Sequence, residues 1–191
     1  MKPIIVAIAG PSCVGKDTLQ RKLFIELCKQ NFKVNNIIST TTRPPRVNET
    51  ENDYHFISIQ DWDKCDFFEE TTFRGWHYGT QKKDVLNDLD AVNLGVFNLA
   101  GIKSLWNLSN EYYILPVYLI VNWKERLRRS IKREHKITLE MLRRLYVDYK
   151  DFKKNEIVLF KKQNCLVYLG TGNFDKIVQD IVGQIKKYQS S

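Results

Sequence analysis

The chain has 191 residues and a net charge of +8, with 43% hydrophobic and 27% charged residues. This length and composition fit one globular domain, and the charge favours an anionic partner: nucleic acid, a membrane surface or phosphorylated metabolites. The apolar run at residues 3–10 is too short to span a bilayer and no cleavage site follows it, which argues against a membrane segment and a signal peptide. The four cysteines form no CxxC pair, so we expect reduced thiols in a cytoplasmic protein.

The first elements follow from hydrophobic periodicity. The short, β-branched run at residues 4–9 is typical of a buried strand, and apolar residues at helical spacing predict a helix over residues 16–30. A short strand is expected at residues 36–39. The sequence RPPR at residues 43–46 then breaks regular structure and begins a polar loop.

Further elements are expected along the rest of the chain. They are strands at 54–57 and 67–73 around a short helix near Ser58, a helix at 80–89, strands at 94–99 and 113–121, helices at 123–134 and 138 to about 152, a strand at 165–169 and a helix capped by Asn173 and ending at 188. Helices that alternate with apolar strands predict an α/β fold with a parallel sheet covered on both faces, as in P-loop NTPases. The polar segment 35–81 interrupts this alternation and is expected to form an inserted subdomain.

A phosphate-binding loop lies between the first strand and the first helix. Residues 10–16 read GPSCVGK and satisfy the GxxxxGK pattern in the strand–loop–helix context that the mechanism requires. Glycines at both ends let the backbone N–H groups point inward, and the lysine can reach the β- and γ-phosphates of a nucleoside triphosphate. The phosphates are therefore expected to contact Gly10, Pro11, Ser12, Cys13, Val14, Gly15, Lys16, Asp17 and Thr18.

One position of this loop departs from the usual pattern. The hydroxyl residue that normally follows the lysine and binds Mg²⁺ is replaced by Asp17, and Thr18 comes one residue later. A carboxylate next to phosphates is repulsive unless a cation lies between them. Two interpretations therefore stay open: Asp17 faces the metal, directly or through water, or it turns outward as an acid in the first turn of the helix.

Four motifs downstream of the loop identify a family. They are STTTRPPR at 39–46, DYHF at 53–56, FFE at 67–69 and YGT at 78–80. Together with the phosphate loop, their order and spacing resemble the guanylate kinase family over nearly the whole chain. The resemblance implies a nucleoside monophosphate kinase domain over 1–191, with a core at 1–34, 82–124 and 145–191, a monophosphate-binding subdomain at 35–81 and a lid at 125–144.

The resemblance also implies which residues bind the acceptor nucleotide. The phosphate of the monophosphate is expected to be held by Ser39, Arg43, Arg46, Tyr54 and Tyr78. Guanine is expected to be recognised by Glu69 and Thr80. The chemistry agrees, because arginine binds phosphate oxygens bidentately, a carboxylate accepts from the ring N–H and the amine of guanine together, and a hydroxyl can donate to guanine O6.

The resemblance further implies a catalytic lid. The family's lid arginines stand four and then eleven residues apart, and Arg129, Arg133 and Arg144 have this spacing, with Arg143 adjacent. With Lys16, these arginines are expected to stabilise the transferring phosphoryl group and to exclude water. The family's RG-T turn is replaced here by REHK at residues 133–136.

A further departure concerns the metal. Alignment on Gly101 places Val96 and Asn98 where the family carries acidic residues, one of which is associated with Mg²⁺. A valine cannot bind magnesium or its waters. Our hypothesis is that the carboxylate lost at Val96 is regained at Asp17.

The sequence therefore predicts transfer of the γ-phosphate of Mg²⁺·ATP to GMP or dGMP. Two alternatives stay open: a deoxynucleoside monophosphate kinase of broader or shifted specificity, and an inactive guanylate kinase-like module that binds proteins. A nucleic-acid binder is less favoured, because no binding motif is recognisable and phosphate-binding residues account for the charge. We expect no membrane partner, and a monomer or a homodimer.

Overall fold

The computed structural model describes residues 2–45, 49–73, 75–86, 90–134, 139, 142–143, 146–148, 165–170 and 172–191, with the backbone alone at 73, 86, 100, 133 and 134. In chain order, its elements are β1 (Ile4–Ala9), α1 (Lys16–Lys29), β2 (Val34–Ile37), β3 (Thr40–Thr41), β4 (His55–Phe56), α2 (Ile59–Trp62), β5 (Phe67–Phe73), β6 (Trp76–Gln81), α3 (Lys82–Leu86), β7 (Val92–Val96), α4 (Leu99–Trp106), β8 (Tyr113–Ile120), α5 (Trp123–Glu134), β9 (Leu166–Leu169) and α6 (Phe174–Gln189).

The larger sheet is parallel and has the order β2-β7-β1-β8-β9. All six residues of β1 are buried, as expected for a central strand that is covered on both faces. Alternate residues of β1 enter two different hydrophobic clusters, one of which includes residues of α1 and α6 and the other residues of α4. The predicted α/β fold with helices on both faces is thereby confirmed.

Helix α1 is positioned by three leucines at a spacing of four residues. Leu19, Leu23 and Leu27 are fully buried against the sheet and α6, and each such side chain contributes about 2 kcal/mol through burial. The packing holds the N-terminus of α1 at the carboxyl end of β1. The loop between the two elements therefore lies at the edge of the sheet where ligands bind in open α/β folds.

The smaller sheet has the order β4-β3-β6-β5 and mixes one parallel with two antiparallel pairings. Two of its strands, β3 and β4, have only two residues each, and its strands are more polar than those of the larger sheet. The ring of Trp62 stacks on that of Phe67 with centroids 4.0 Å apart. Because β5 lies against α4, this sheet brings its side chains to the carboxyl edge of the larger one.

Several predicted boundaries were wrong. Residues 80 and 81 belong to β6 and not to a helix, because Thr80 pairs with Glu69 across the sheet and is fully buried. Residues 97–99 leave the sheet, because Asn98 caps α4, a helix that periodicity did not predict. The strand expected at 36–39 begins earlier, at Val34, and ends at Ile37, and residues 38 and 39 connect it to β3.

Other predictions agree with the structure or lie partly beyond it. The strand at 67–73, the helix at 123–134 and the cap at Asn173 are confirmed. Most of the helix expected at 138–152 lies outside the described residues. Within the described part of the chain, no helix combines the length and the apolar character needed to cross a bilayer.

Candidate nucleotide-binding site

The loop after β1 has the backbone that a phosphate-binding loop requires. Gly10 and Gly15 have φ values of 149° and 105°, which favour glycine. A Cβ atom on Gly10 would lie 2.5 Å from the carbonyl oxygen of Leu119, and one on Gly15 would lie 2.7 Å from the ring of Phe174. Close packing against β8 and α6 therefore requires glycine at both ends of the loop.

Lys16 begins α1 and folds its side chain back over the loop. Its Nζ donates hydrogen bonds to the carbonyl oxygens of Gly10 at 2.8 Å and Pro11 at 3.1 Å. Desolvation lowers the pKa of this ammonium, and the nearby carboxylates of Asp17 and Asp148 oppose the shift. The positive charge thus sits inside the curve of the loop, where β- and γ-phosphates bind in P-loop proteins.

Asp148 also contacts the loop, although nothing in the sequence pattern singled it out. Its carboxylate accepts hydrogen bonds from the Ser12 N–H at 3.0 Å and from the Ser12 hydroxyl at 3.3 Å. The same carboxylate pairs with Arg126 of α5, whose Nη1 lies 2.7 Å from Oδ2. Asp148 and Arg126 are both buried. Desolvation raises the pKa of Asp148, and Arg126 and Ser12 partly oppose that shift.

Of the three arginines expected in the lid, the structure describes the side chain of Arg129. Arg129 of α5 donates from Nη1 to the carbonyl oxygen of Val14 at 3.1 Å and from Nε to Glu125 at 2.9 Å, so it reaches the phosphate loop. Hydrogen bonds from Arg128 and Arg129 lower the pKa of Glu125 to about 2. The side chain of Arg133 and all of Arg144 lie outside the described residues, and the predictions for them stay predictions.

Three of the residues expected to hold the acceptor phosphate lie together. The guanidinium of Arg43 lies 5.5 Å from the ring centroid of Tyr54, and the rings of Tyr54 and Tyr78 are 6.3 Å apart and nearly perpendicular. Desolvation raises the pKa of Tyr54, and so does the negative charge of Asp17. That electrostatic influence connects this cluster with the phosphate loop.

Arg43 is itself buried and paired. Its guanidinium contacts the carboxylate of Glu49 at 2.8 Å and donates to the carbonyl oxygen of Pro44 at 2.6 Å. Ser39 lies at the start of the same small sheet, where its carbonyl oxygen accepts the N–H of His55. Arg46 lies outside the described residues.

Glu69 lies in a pocket built where β5 meets α4. Its Oε1 accepts a hydrogen bond from the Thr80 hydroxyl at 2.9 Å, and its Oε2 accepts one from the Asn98 amide at 3.0 Å. A Cβ atom on Gly101 would lie 3.0 Å from Cγ of Glu69, so the glycine makes room for the side chain. Desolvation raises the pKa of Glu69, and the two hydrogen bonds partly offset that shift.

Asn98 is a residue of this pocket whose contact with Glu69 the sequence did not predict. Its side-chain oxygen, Oδ1, accepts the Gly101 N–H at 2.6 Å and caps α4. This bond fixes the orientation of the amide, so that its NH₂ group points to Glu69. The asparagine therefore links the end of β7 to the pocket of Glu69, at a position where the resemblance implies an acid.

Asp17 is exposed, and its charge acts on both Lys16 and Tyr54. Its carboxylate is therefore close enough to Lys16 of the phosphate loop and to Tyr54 of the acceptor cluster for its charge to act on both. No group of three or more His, Cys, Asp and Glu side chains that could hold a metal is assembled among the described residues. Magnesium at phosphate-transfer sites typically uses one or two carboxylates together with phosphates and water, so a single carboxylate here fits that donor set. Val96 on β7 offers no ligand atom.

Comparison with known proteins identifies the family to which the chain belongs. The sequence profile of the guanylate kinase family matches residues 1–180. A guanylate kinase of Wolinella succinogenes is 31% identical over 172 residues, which cover 84% of this chain and 78% of that protein. A guanylate kinase of a Nostoc species is 33% identical over 122 residues, which span 59% of each protein. The crystal structure of guanylate kinase from Anaplasma phagocytophilum shares the fold, with a TM-score of 0.69, 18% identity, and coverage of 100% of this chain and 88% of that one. The chain belongs to the guanylate kinase family, whose enzymes are nucleoside monophosphate kinases.

Proposed function

We propose that this protein transfers the γ-phosphate of ATP to GMP or dGMP, giving ADP and GDP or dGDP. The observation that carries the proposal is the Glu69 carboxylate, which the Thr80 hydroxyl and the Asn98 amide hold at the edge of the two sheets. Guanine presents a ring N–H and an amine side by side, and a carboxylate accepts both hydrogens. Adenine lacks this donor pair, so its binding would desolvate the Glu69 carboxylate without supplying the two hydrogen bonds that guanine supplies.

The hydroxyl of Thr80 completes base recognition by changing its partner. It has one proton, which Glu69 accepts in this structure. When guanine donates two hydrogens to Glu69, the Thr80 O–H is released to donate to guanine O6. Thr80 is fully buried, so a base without an acceptor at that position would leave the hydroxyl bonded to Glu69 and would gain no hydrogen bond from it.

The phosphate groups are proposed to bind on either side of Asp17. The donor triphosphate lies on the loop of residues 10–18 with Lys16 and Arg129, and the acceptor phosphate lies against Arg43, Tyr54 and Tyr78. An oxygen of the acceptor phosphate attacks the γ-phosphorus in line, the bond to the β,γ-bridging oxygen breaks, and ADP leaves. The positive side chains stabilise the charge on the transferring group, and the family resemblance assigns the same role to Arg46, Arg133 and Arg144.

Magnesium, when bound, would neutralise charge on the donor phosphates, and Asp17 is the residue that we propose to hold it, directly or through water. The charge of Asp17 acts both on Lys16, which we propose to contact the donor phosphates, and on Tyr54, which we propose to contact the acceptor phosphate.

One experiment tests the proposed function. The pure protein is incubated with Mg²⁺·ATP and with GMP, dGMP, AMP, CMP, UMP or dTMP in turn, and ADP release is followed. We expect activity with the two guanine nucleotides. Activity with dTMP but with neither guanine nucleotide would overturn the base assignment and favour the deoxynucleoside kinase alternative, and no activity with any acceptor would favour a protein-binding module.

A further inference from the structure

The loop that is proposed to bind the donor phosphates holds a carboxylate of the chain itself. Asp148 accepts from the Ser12 N–H at 3.0 Å and from the Ser12 hydroxyl at 3.3 Å, although 136 residues separate the two in sequence. Backbone N–H groups of such a loop are the donors that bind phosphate oxygens. Asp148 therefore occupies a position that the chemistry of the loop assigns to a phosphate.

A phosphate oxygen and Asp148 cannot both take this position. The Ser12 N–H has one hydrogen, and Asp148 Oδ2 already accepts it, together with a hydrogen from Arg126 Nη1. A phosphate at hydrogen-bond distance from the same amide would stand within a few ångströms of the carboxylate, and two anions at that distance repel each other strongly in a partly desolvated site. ATP must displace the carboxylate before it can engage Ser12.

Arg126 is the group that such a displacement would release. It is 6% exposed, its Nη1 donates to Asp148 at 2.7 Å, and its Nε lies buried without a hydrogen-bond partner among the residues that the structure describes. Its charge also acts on Lys16. Once Asp148 moves away, this guanidinium faces the loop with unused donors, and its planar geometry matches two phosphate oxygens.

We propose that Asp148 occupies a donor-phosphate position before ATP binds, and that Arg126 is a further donor-phosphate ligand, which the incoming phosphate takes over from Asp148. The inference rests on the proposed binding of ATP to this loop and adds two residues to it. It also explains why a buried carboxylate stands beside Ser12. Asp148 balances the charge of Arg126 and Lys16 until a phosphate replaces it.

The test is the affinity for ATP and for inorganic triphosphate, measured by calorimetry without an acceptor. Asp148→Asn keeps the size of the side chain and removes the competing charge, so we expect both ligands to bind about tenfold or more tightly than to the wild type, because the fraction of loops open to phosphate rises. The control Glu111→Gln removes one negative charge next to the opposite edge of the sheet and should leave both affinities unchanged. Unchanged or weaker binding to Asp148→Asn would overturn the role of Asp148.

The double variant Arg126→Met/Asp148→Asn tests Arg126 separately. If Arg126 binds phosphate, the double variant should lose at least the tenfold gain of Asp148→Asn. If Arg126 serves only to hold Asp148, the double variant should bind ATP as tightly as Asp148→Asn, and that result would overturn the role of Arg126.

A measurement on the wild type keeps the inference testable if a variant fails to fold. Inorganic triphosphate is titrated into protein labelled with ¹³C at aspartate carboxyl groups and with ¹⁵N. The Asp148 carboxyl resonance should move to the value of a solvated carboxylate over the same concentrations at which the Ser12 amide shifts. A carboxyl resonance unaffected by saturating triphosphate would contradict the exchange. If neither ATP nor triphosphate binds the wild type or any variant, the proposed function fails as well, whereas equal affinities throughout would remove this inference alone.

Discussion

In the base pocket, Glu69 receives hydrogen bonds from two neutral groups, whereas in both phosphate regions a carboxylate of the chain pairs with an arginine. Glu49 contacts Arg43 at the acceptor phosphate cluster, and Asp148 contacts Arg126 beside the phosphate loop. The pocket that we propose for the base therefore presents an anion to the donors of guanine. The two regions that we propose for phosphate are cationic, and carboxylates of the chain balance their charge. On this proposal, base recognition needs little rearrangement, whereas phosphate binding needs an exchange of anions.

The largest effect is expected at Lys16, the lysine of the phosphate loop. Lys16→Met should lower kcat/KM for GMP phosphorylation by about 10³-fold, because a donor directed at transition-state charge contributes about 3–4 kcal/mol. Lys29→Met, at the exposed end of the same helix, is the matched control and should retain wild-type activity. Steady-state kinetics check this, and a loss smaller than tenfold would contradict the role of Lys16.

A smaller effect is expected at Asn98, one of the two neutral groups that donate hydrogen bonds to Glu69. Asn98→Ser keeps a good helix cap but removes the amide that donates to Glu69, and a hydrogen bond to a charged group contributes about 1.5–3 kcal/mol, so KM for GMP should rise at least about tenfold. The free energy of unfolding should change little. Asn107→Ser, at the other end of α4, should alter neither quantity. If KM for GMP stays at the wild-type value, Asn98 does not position Glu69.

The third prediction concerns Asp17, whose charge acts on both Lys16 and Tyr54. If Asp17 holds magnesium, Asp17→Asn should raise the Mg²⁺ concentration required for half-maximal activity about tenfold, since one of few carboxylate ligands is lost. Asp61→Asn, an exposed acid in α2, serves as the control. An unchanged magnesium requirement would remove Asp17 from the surroundings of the metal and leave it as an acid in the first turn of α1.

The smallest effect is a shift in pH dependence. Burial raises the pKa of Glu69 above its ordinary value of 4.5, and recognition of guanine requires the ionised carboxylate. As pH falls through that raised pKa, protonation removes the acceptor and kcat/KM for GMP should decrease, beginning at a higher pH than for an ordinary glutamate. Glu69→Gln is the comparison, because titration of the substrate phosphate is common to both proteins. If kcat/KM decreases over the same acidic pH range in both proteins, protonation of Glu69 does not cause the decrease.

Much of the fold could be predicted because it follows from local patterns. The buried run of β1, the GxxxxGK loop and the cap at Asn173 each depend on neighbours in sequence, and the structure places each as expected. The start of the helix predicted at residues 80–89 was wrong, because the pairing of Thr80 with Glu69 outweighs local preference and the helix begins at Lys82. Helix α4 was missed because it has only eight residues and carries Gly101, a poor helix former, in its first turn.

The site was predictable where a motif carries the chemistry. Arg43, Tyr54 and Tyr78 come from different motifs and lie together in the structure, and Glu69 lies against Thr80. The contacts of Asp148 with Ser12 and of Glu49 with Arg43 could not be predicted in this way. Each depends on the tertiary position of an ordinary acid, and composition and periodicity carry no information about that position.

We propose that Glu69 makes this family member selective for guanine, and the ratio of kcat/KM for GMP to kcat/KM for AMP tests this role. We would measure kcat/KM for GMP and for AMP in the wild type and in Glu69→Gln. We expect the wild type to prefer GMP by about 10⁴-fold or more, because its pocket forms hydrogen bonds with the donors of the base. In Glu69→Gln, this preference should fall at least about a hundredfold. If the two proteins prefer GMP equally, Glu69 does not cause the selectivity.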